Sequence, residues 1–356
     1  MDWITVLLVL SLMTIGLVSV SSAASEIRKI SVQILACSLG LCSMLTIAFW
    51  DYRSIKGFGR HLYFLCIFLL AIVFPLGTGK EETGAISWIR FGSIGIQPSE
   101  FVKLLFCLYL SCEFRQLLEQ GTLNNPKKLI PLILKSSPII ALVVLQNDTG
   151  SALVFVFILL VLLFISGLSV KYILIGIGIL AVTLPLMWFL LSDYQKDRIT
   201  VFLNPDKELT GAGFQVYLSK LAIASGGIFG HGYRQGAISS LSFLPEKDTD
   251  FIFAVIGEEF GLFGTTITVS LFLILIIRCV NIARHSSDLQ GKLISTGICA
   301  LITFHTIENI GMCMGLLPVT GIPLPFISYG GSSILSMNMA VGLILSVRRK
   351  TYILQN

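Results

Sequence analysis

The chain has 356 residues, 54% of them hydrophobic and only 13% charged, with a formal net charge of +5 and a mean hydropathy of +0.87. These values exclude a water-soluble globule with an ordinary charged surface and describe an integral membrane protein. The basic excess lies in short segments between apolar runs, so it is a topological signal and implies no nucleic acid partner.

Apolar runs recur near 3–20, 30–49, 61–77, 100–113, 129–146, 150–167, 171–191, 252–277, 293–314 and 326–347. A helix crosses hydrocarbon in roughly 17 to 25 residues, so an all-α polytopic fold with about ten spans is expected, two of them short. Ser22-Ala23-Ala24 after the first run looks like a cleavage site, but only Met1 and Asp2 precede Trp3. The basic n-region of a signal peptide is missing, and the run is read as the first span.

Lys and Arg set the orientation. With the N-terminus inside, the inner segments hold Arg53, Lys56, Arg60, Arg115, Lys127, Lys128, Lys171, Arg278, Arg284, Lys292, Arg348, Arg349 and Lys350, whereas the short outer loops hold only Arg28, Lys29, Lys80 and Arg90. Both termini are therefore expected in the cytoplasm, with a single large extracytoplasmic loop, 192–250, between spans seven and eight. The eight cysteines fall in or beside apolar runs without a Cys-x-x-Cys pair and read as small core residues.

The outer stretch 78–103 is too polar and Gly-rich to span, and is expected to lie along the interface with Trp88 at headgroup depth. Pro98 or Ser99 opens the next helix, with Glu100 at its positive end and Lys103 on the same face. Glu100 and Lys103 are open to two readings, an ion pair that seats the helix or, with Arg90, a site for an anionic ligand. Asp148, in the short outer turn 146–150, is either a helix cap or a substrate contact. In loop 192–250, Phe214 to Ser225 is amphipathic, and Gly226-Gly227 and Gly230 to Gly232 read as flexible joints between half-helices.

The segment 241–261 concentrates Glu246, Asp248, Asp250, Glu258 and Glu259 in an otherwise apolar chain. Carboxylates at a bilayer edge are costly unless they act on something. His305 and Glu308 stand one turn apart in the ninth run, where a metal pair competes with ordinary hydrogen bonds between helices. The last outer loop carries Pro318, Pro323 and Pro325 before Gly330-Gly331, so its irregular backbone must line a cavity or be buried in protein. A pocket wall is expected there, beside the acidic segment.

FGSIGIQPSEFVK (91–103), QNDTGSA (146–152), NPDKELTGAGFQVYLSKLAIASGGIFGHG (204–232), FLPEKDTDFIFAVIGEEFG (243–261) and LPVTGIPLPFISYGGSS (317–333) resemble, in order, the signature segments of the SEDS family, the RodA/FtsW/SpoVE peptidoglycan polymerases. The wording of TGAGFQ and GIPLPFISYGG is nearer the RodA branch. The resemblance implies ten transmembrane helices in the bacterial cytoplasmic membrane, an outward-facing glycosyltransferase site and lipid II as substrate. It also implies a class B penicillin-binding protein as transpeptidase partner, with other components of the elongation or division complex. The family's proposed catalytic aspartate maps onto Asp250, and Arg198 matches a basic position. Asp248 stands where the family commonly has histidine, Ser87 where arginine commonly precedes the Trp, and GAIS (236–239) where GTQS is usual.

A β-linkage made from an α-linked sugar diphosphate requires inversion, so one carboxylate suffices as base, and Asp250 is the choice. The leaving diphosphate needs positive charge, for which Lys103, Arg198 and Arg234 are candidates, with Glu100 orienting Lys103. A divalent cation, Mg2+ or Mn2+, is the other source, with Asp250 and Asp248 as possible ligands. A lipid II flippase and a non-enzymatic scaffold that recruits the transpeptidase are the alternatives.

Overall fold

The computed structural model describes residues 1–24, 26–79, 85–91, 94–176, 212–240 and 244–355, with the single positions 178, 196, 200 and 202. The molecule is an all-α polytopic membrane protein. Its long helices are α1 (Trp3–Ala23), α2 (Ile27–Phe49), α3 (Gly59–Ala71, extended by the turn Val73–Leu76), α4 (Pro98–Glu119), α5 (Pro126–Leu145), α6 (Thr149–Ile165), α7 (Ala212–Ser225), α8 (Ile252–Arg284), α9 (Leu289–Cys313) and α10 (Gly331–Gln355). Among the described residues, 7 helices are long and apolar enough to cross a membrane. α4 carries too many polar groups to be one of them, and α6 is too short. Of the run 171–191, positions 171–176 and 178 are described and helical; the rest, like Lys80 and Arg198, lies outside the described residues.

Contacts between helix ends fix their relative directions. Asp2 pairs with Arg278 at 2.7 Å and Ser22 donates to Glu259, so α1 runs antiparallel to α8. Gln33 bonds Ser328 at one end of α2, and Arg349 donates to the Phe49 carbonyl at the other, so α2 and α10 run side by side in the same direction. One end of the bundle gathers Arg53 with Asp288, Lys350 with Asp51 and Arg278 with Asp2. These are the segments that the charge count places inside. The opposite end gathers the loops before α4, α6, α8 and α10.

α9 and α10 form the centre, with 78% of each apolar window buried, against 33% for α2 and 22% for α3. Trp3, Ile4 and Leu7 on α1, and Leu262, Phe263 and Leu273 on α8, face outward, as side chains do where lipid is the solvent.

Two features depart from the sequence reading. The stretch after Ala85 forms a small antiparallel hairpin, β1 (Ile89–Phe91) with β2 (Ile94–Ile96), braced by a bridge between Thr78 and Trp88, regular structure that the reading of an interfacial stretch did not include. Its alternating Ile-x-Phe and Ile-x-Ile pattern suits a strand. α8 is also broken, because Gly261 has φ 64 and ψ −158. Beyond the break, 262–284 is about 34 Å long, enough by itself for about 30 Å of hydrocarbon.

The break leaves backbone groups without helical partners, and the glycine loop supplies them. Leu262 and Phe263 donate to the Gly227 and Ile228 carbonyls, and the His231 and Gly232 amides donate to the Glu258 and Glu259 carbonyls, all within 2.9–3.1 Å. A Cβ on Gly226 would lie 2.0 Å from the Gly257 oxygen, and one on Gly230 would lie 2.1 Å from the Glu259 oxygen. These glycines are points of close backbone approach, which corrects their reading as flexible joints.

Candidate active site

The acidic segment divides by role. Glu258 accepts from the Ile238 and Ser239 amides at 2.7 and 2.9 Å, the first N–H groups of the helical turn Ala237–Ser240, and Glu259 accepts from Ser22. Both are buried and hold the extramembrane loop onto α1 and α8. Glu246 takes the Thr249 hydroxyl at 2.9 Å. Asp248 is buried and pairs with Lys29 at 2.5 Å.

Asp250 is half-buried just before α8, and its carboxylate faces the last outer loop, where a Cβ on Gly321 would meet Oδ2 at 3.3 Å. Gly321 has φ 74, a conformation that favours glycine, and the absent Cβ leaves the carboxylate room.

The backbone around Asp250 is held at successive carbonyls. Tyr329 N–H donates to the Asp248 oxygen at 2.8 Å, and the Ser328 hydroxyl donates to the Thr249 oxygen at 2.6 Å. The Asn309 amide donates at 2.8 Å both to the Asp250 oxygen and to the Ile322 oxygen. The Cys313 thiol gives the Asp250 oxygen a second, weaker donor at 3.5 Å. Loop 317–330 and α9 therefore fix the height and direction at which Asp250 leaves the chain.

The polar residues of α9 support the same wall. His305 meets the Pro323 carbonyl through Nδ1 at 3.2 Å and the Lys103 ammonium through Nε2 at 3.3 Å. A carbonyl only accepts, so Nδ1 carries the proton and Nε2 receives one from Lys103. Thr320 donates to Glu308. His305 and Glu308 thus hold the proline-rich loop rather than a metal.

Lys103 is 1% exposed and its partner Glu100 2%, with the ammonium 2.7 Å from the carboxylate. The ion-pair reading describes them, and in this structure the ammonium is enclosed with its carboxylate. Asp148 caps α6 through the Ser151 amide at 3.0 Å and accepts from Gln97 at 3.2 Å. Gly150 presses on the Thr320 oxygen, where a Cβ would come within 2.7 Å. Asp148 is thus a cap that packs its helix against the loop.

Arg234 donates to the Ser21 carbonyl at 2.7 Å and tethers its own loop to the end of α1. Arg90 lies exposed on β1, paired in register with Gly95.

Near the acidic segment, Lys247 donates to the Ser239 carbonyl. Burial, with the Lys29 charge acting the same way, holds its ammonium below the ordinary lysine range. The Tyr329 hydroxyl is pushed up by burial and by the Asp248 carboxylate. Among the described residues no three His, Cys, Asp or Glu side chains converge, and Lys29 already occupies Asp248.

Lys29, Gln33, Asn309 and Gly321 are the site residues that sequence reading missed. Lys29 and Gln33 did leave a signal, since two polar side chains one turn apart on an apolar helix face something polar.

A family profile described as "Cell cycle protein", covering FtsW, RodA and SpoVE, matches residues 2–353. The chain is 35% identical over 346 residues to peptidoglycan glycosyltransferase MrdB of Escherichia coli (strain K12), covering 96% of this chain and 92% of that protein. It is 35% identical over 357 residues to stage V sporulation protein E of Bacillus subtilis (strain 168), covering 98% and 97%. Among solved structures it resembles a chain from a study of how a peptidoglycan synthase complex coordinates polymerization and crosslinking, with a TM-score of 0.85 and 31% identity over 99% of this chain and 98% of that one. It also resembles the rod shape determining protein RodA of Thermus thermophilus, with a TM-score of 0.73 and 29% identity over 99% and 97%.

Proposed function

Because the chain belongs to the FtsW/RodA/SpoVE family, whose relatives include peptidoglycan glycosyltransferases, we propose that it polymerises lipid II into β-1,4-linked glycan strands, with Asp250 as the general base. The observation that carries this reading is the placement of Asp250. It is a half-buried carboxylate against Gly321, on a backbone held by Asn309, Ser328 and Tyr329. In the reaction, an acceptor sugar hydroxyl gives its proton to the Asp250 carboxylate while its oxygen bonds to the anomeric carbon of the donor. The bond from that carbon to the diphosphate breaks, and the lipid diphosphate leaves with the electron pair. A fixed base of this kind contributes roughly 10²–10⁴-fold.

The site faces the outside of the bacterial cytoplasmic membrane in this reading, on a ten-span topology with both termini inside. The chain acts with a class B penicillin-binding protein that crosslinks the strands, in the elongation or division complex. The solved relative drawn from a synthase complex that couples polymerization to crosslinking supports this partner. Lys103 on α4 and His305, Glu308 and Asn309 on α9 bond to one another and to the proline-rich loop, which speaks against a transport path through them.

The test is to purify the chain with its transpeptidase partner, supply lipid II with and without Mg2+ or Mn2+, and resolve the glycan product. Wild type is expected to make polymer, and Asp250→Asn and Asp250→Ala none. Equal polymer from the Asp250 variants removes Asp250 from its role, and lipid II flipping in liposomes without polymerisation moves the chain to the transporter class.

A further inference from the structure

We propose that Lys29 and Gln33, on the face of α2 at the catalytic end of the bundle, are positioning residues that close the Asp250 loop onto the proline-rich loop. The inference rests on the reading of Asp250 as base.

The Lys29 ammonium lies 2.5 Å from Asp248 Oδ2 and 5.6 Å from the centre of the Tyr329 ring. One turn further along α2, Gln33 reads the same neighbourhood through both ends of its amide. Its Nε2 donates to the Ser328 carbonyl at 3.1 Å, and its Oε1 accepts from the Gly330 amide at 3.3 Å. The two loops are joined directly as well, by Tyr329 N–H to the Asp248 oxygen at 2.8 Å and by the Ser328 hydroxyl to the Thr249 oxygen. Lys29, Asp248, Tyr329, Ser328 and Gln33 thus form a closed circuit, with Asp250 two residues beyond one corner and Gly321 on the same loop as another.

Ile27, Ile34 and Leu35 face outward, while Lys29 and Gln33 face the two loops and tie this end of the helix to them. Lys29 is 36% exposed while Asp248 is 7% exposed. The pair neutralises a buried carboxylate next to the base and fixes the loop that carries the base, and removing Lys29 leaves that carboxylate uncompensated, which costs stability. A misplacement of about 1 Å in a reacting group can cost of the order of 10²-fold in rate, so the loss of this pair reaches catalysis as well as folding.

The experiment uses the full chain with its transpeptidase partner and measures kcat and KM for lipid II, with Asp250→Asn beside every variant. Lys29→Met is expected to lower kcat at least about tenfold while KM changes less than about threefold, and Lys29→Arg to stay within about threefold of wild type. The charge-exchanged pair Lys29→Asp with Asp248→Lys is expected to recover most of the activity that each single reversal loses. Thermal unfolding of each variant separates lost positioning from lost fold, and the exchanged pair decides the matter if Lys29→Met does not fold. Wild-type kcat in Lys29→Met beside an inactive Asp250→Asn overturns the positioning role and leaves the base assignment standing. An active Asp250→Asn overturns the base assignment itself, and with it this inference. An exchanged pair no better than the single reversals also overturns it.

Discussion

Replacing Gly230 by alanine probes the docking of the glycine loop on the broken helix α8. A Cβ there would sit 2.1 Å from the Glu259 oxygen, 2.3 Å from its carbonyl carbon and 2.5 Å from the Phe260 nitrogen, whereas ordinary contacts begin near 3.4 Å. The loop must therefore retreat by roughly 1.3 Å. That retreat breaks the His231 and Gly232 amide bonds to the Glu258 and Glu259 carbonyls, now 3.1 and 3.0 Å long. Two backbone bonds are worth about 1 kcal/mol each, and alanine at φ 77 costs about 1–2 kcal/mol more, so the variant loses about 3–4 kcal/mol. Every cysteine except Cys42 is buried, so a thiol-reactive dye reports unfolding in detergent. The expected fall in Tm is at least about 5 °C. Gly227 is the internal control, with φ 55 but nothing within 4 Å of a Cβ, so Gly227→Ala should show only the conformational cost of about 1–2 kcal/mol. Equal shifts in the two variants would refute the claim that close backbone approach explains the glycines.

Asn309→Leu removes the amide that donates to the Asp250 and Ile322 carbonyls, while the Asp250 carbonyl keeps the weaker Cys313 thiol. The expected outcome is a loss of at least about tenfold in the rate of glycan formation, read on gels that resolve strand length, and an unchanged rate would show that α9 does not position the base. Lys103→Met leaves the Glu100 carboxylate buried without its ammonium, at a cost of about 3–5 kcal/mol. Adding Glu100→Gln should return much of that loss in the dye assay, and a double variant no more stable than the single one would contradict the pairing.

The membrane class, the apolar runs and the end of the bundle that carries the basic segments were all legible in the sequence, because hydrocarbon admits only long apolar helices and charge bias marks their ends. Pro98 at the start of α4 was legible for a similar local reason, since proline suits the first helical turn. The hairpin at Ile89–Phe91 was partly legible, because its alternation was present in a stretch that polarity and glycine content made look merely interfacial.

What each polar side chain faces was settled only in three dimensions. Lys103 reads equally well from the sequence as a ligand-binding cation or as half of an ion pair, and complete burial with Glu100 decides for the pair. Asp248 and Asp250 are the same residue type two positions apart, yet one meets Lys29 and the other meets the glycine of a loop seventy residues further along the chain. The sequence by itself determined that the chain spans a membrane and that its carboxylates gather before α8. The tertiary structure alone decided that Asp248 meets Lys29 and that Asp250 lies beside Gly321, because a carboxylate's chemistry depends on the charges and backbone that distant segments bring to within a few ångströms of it.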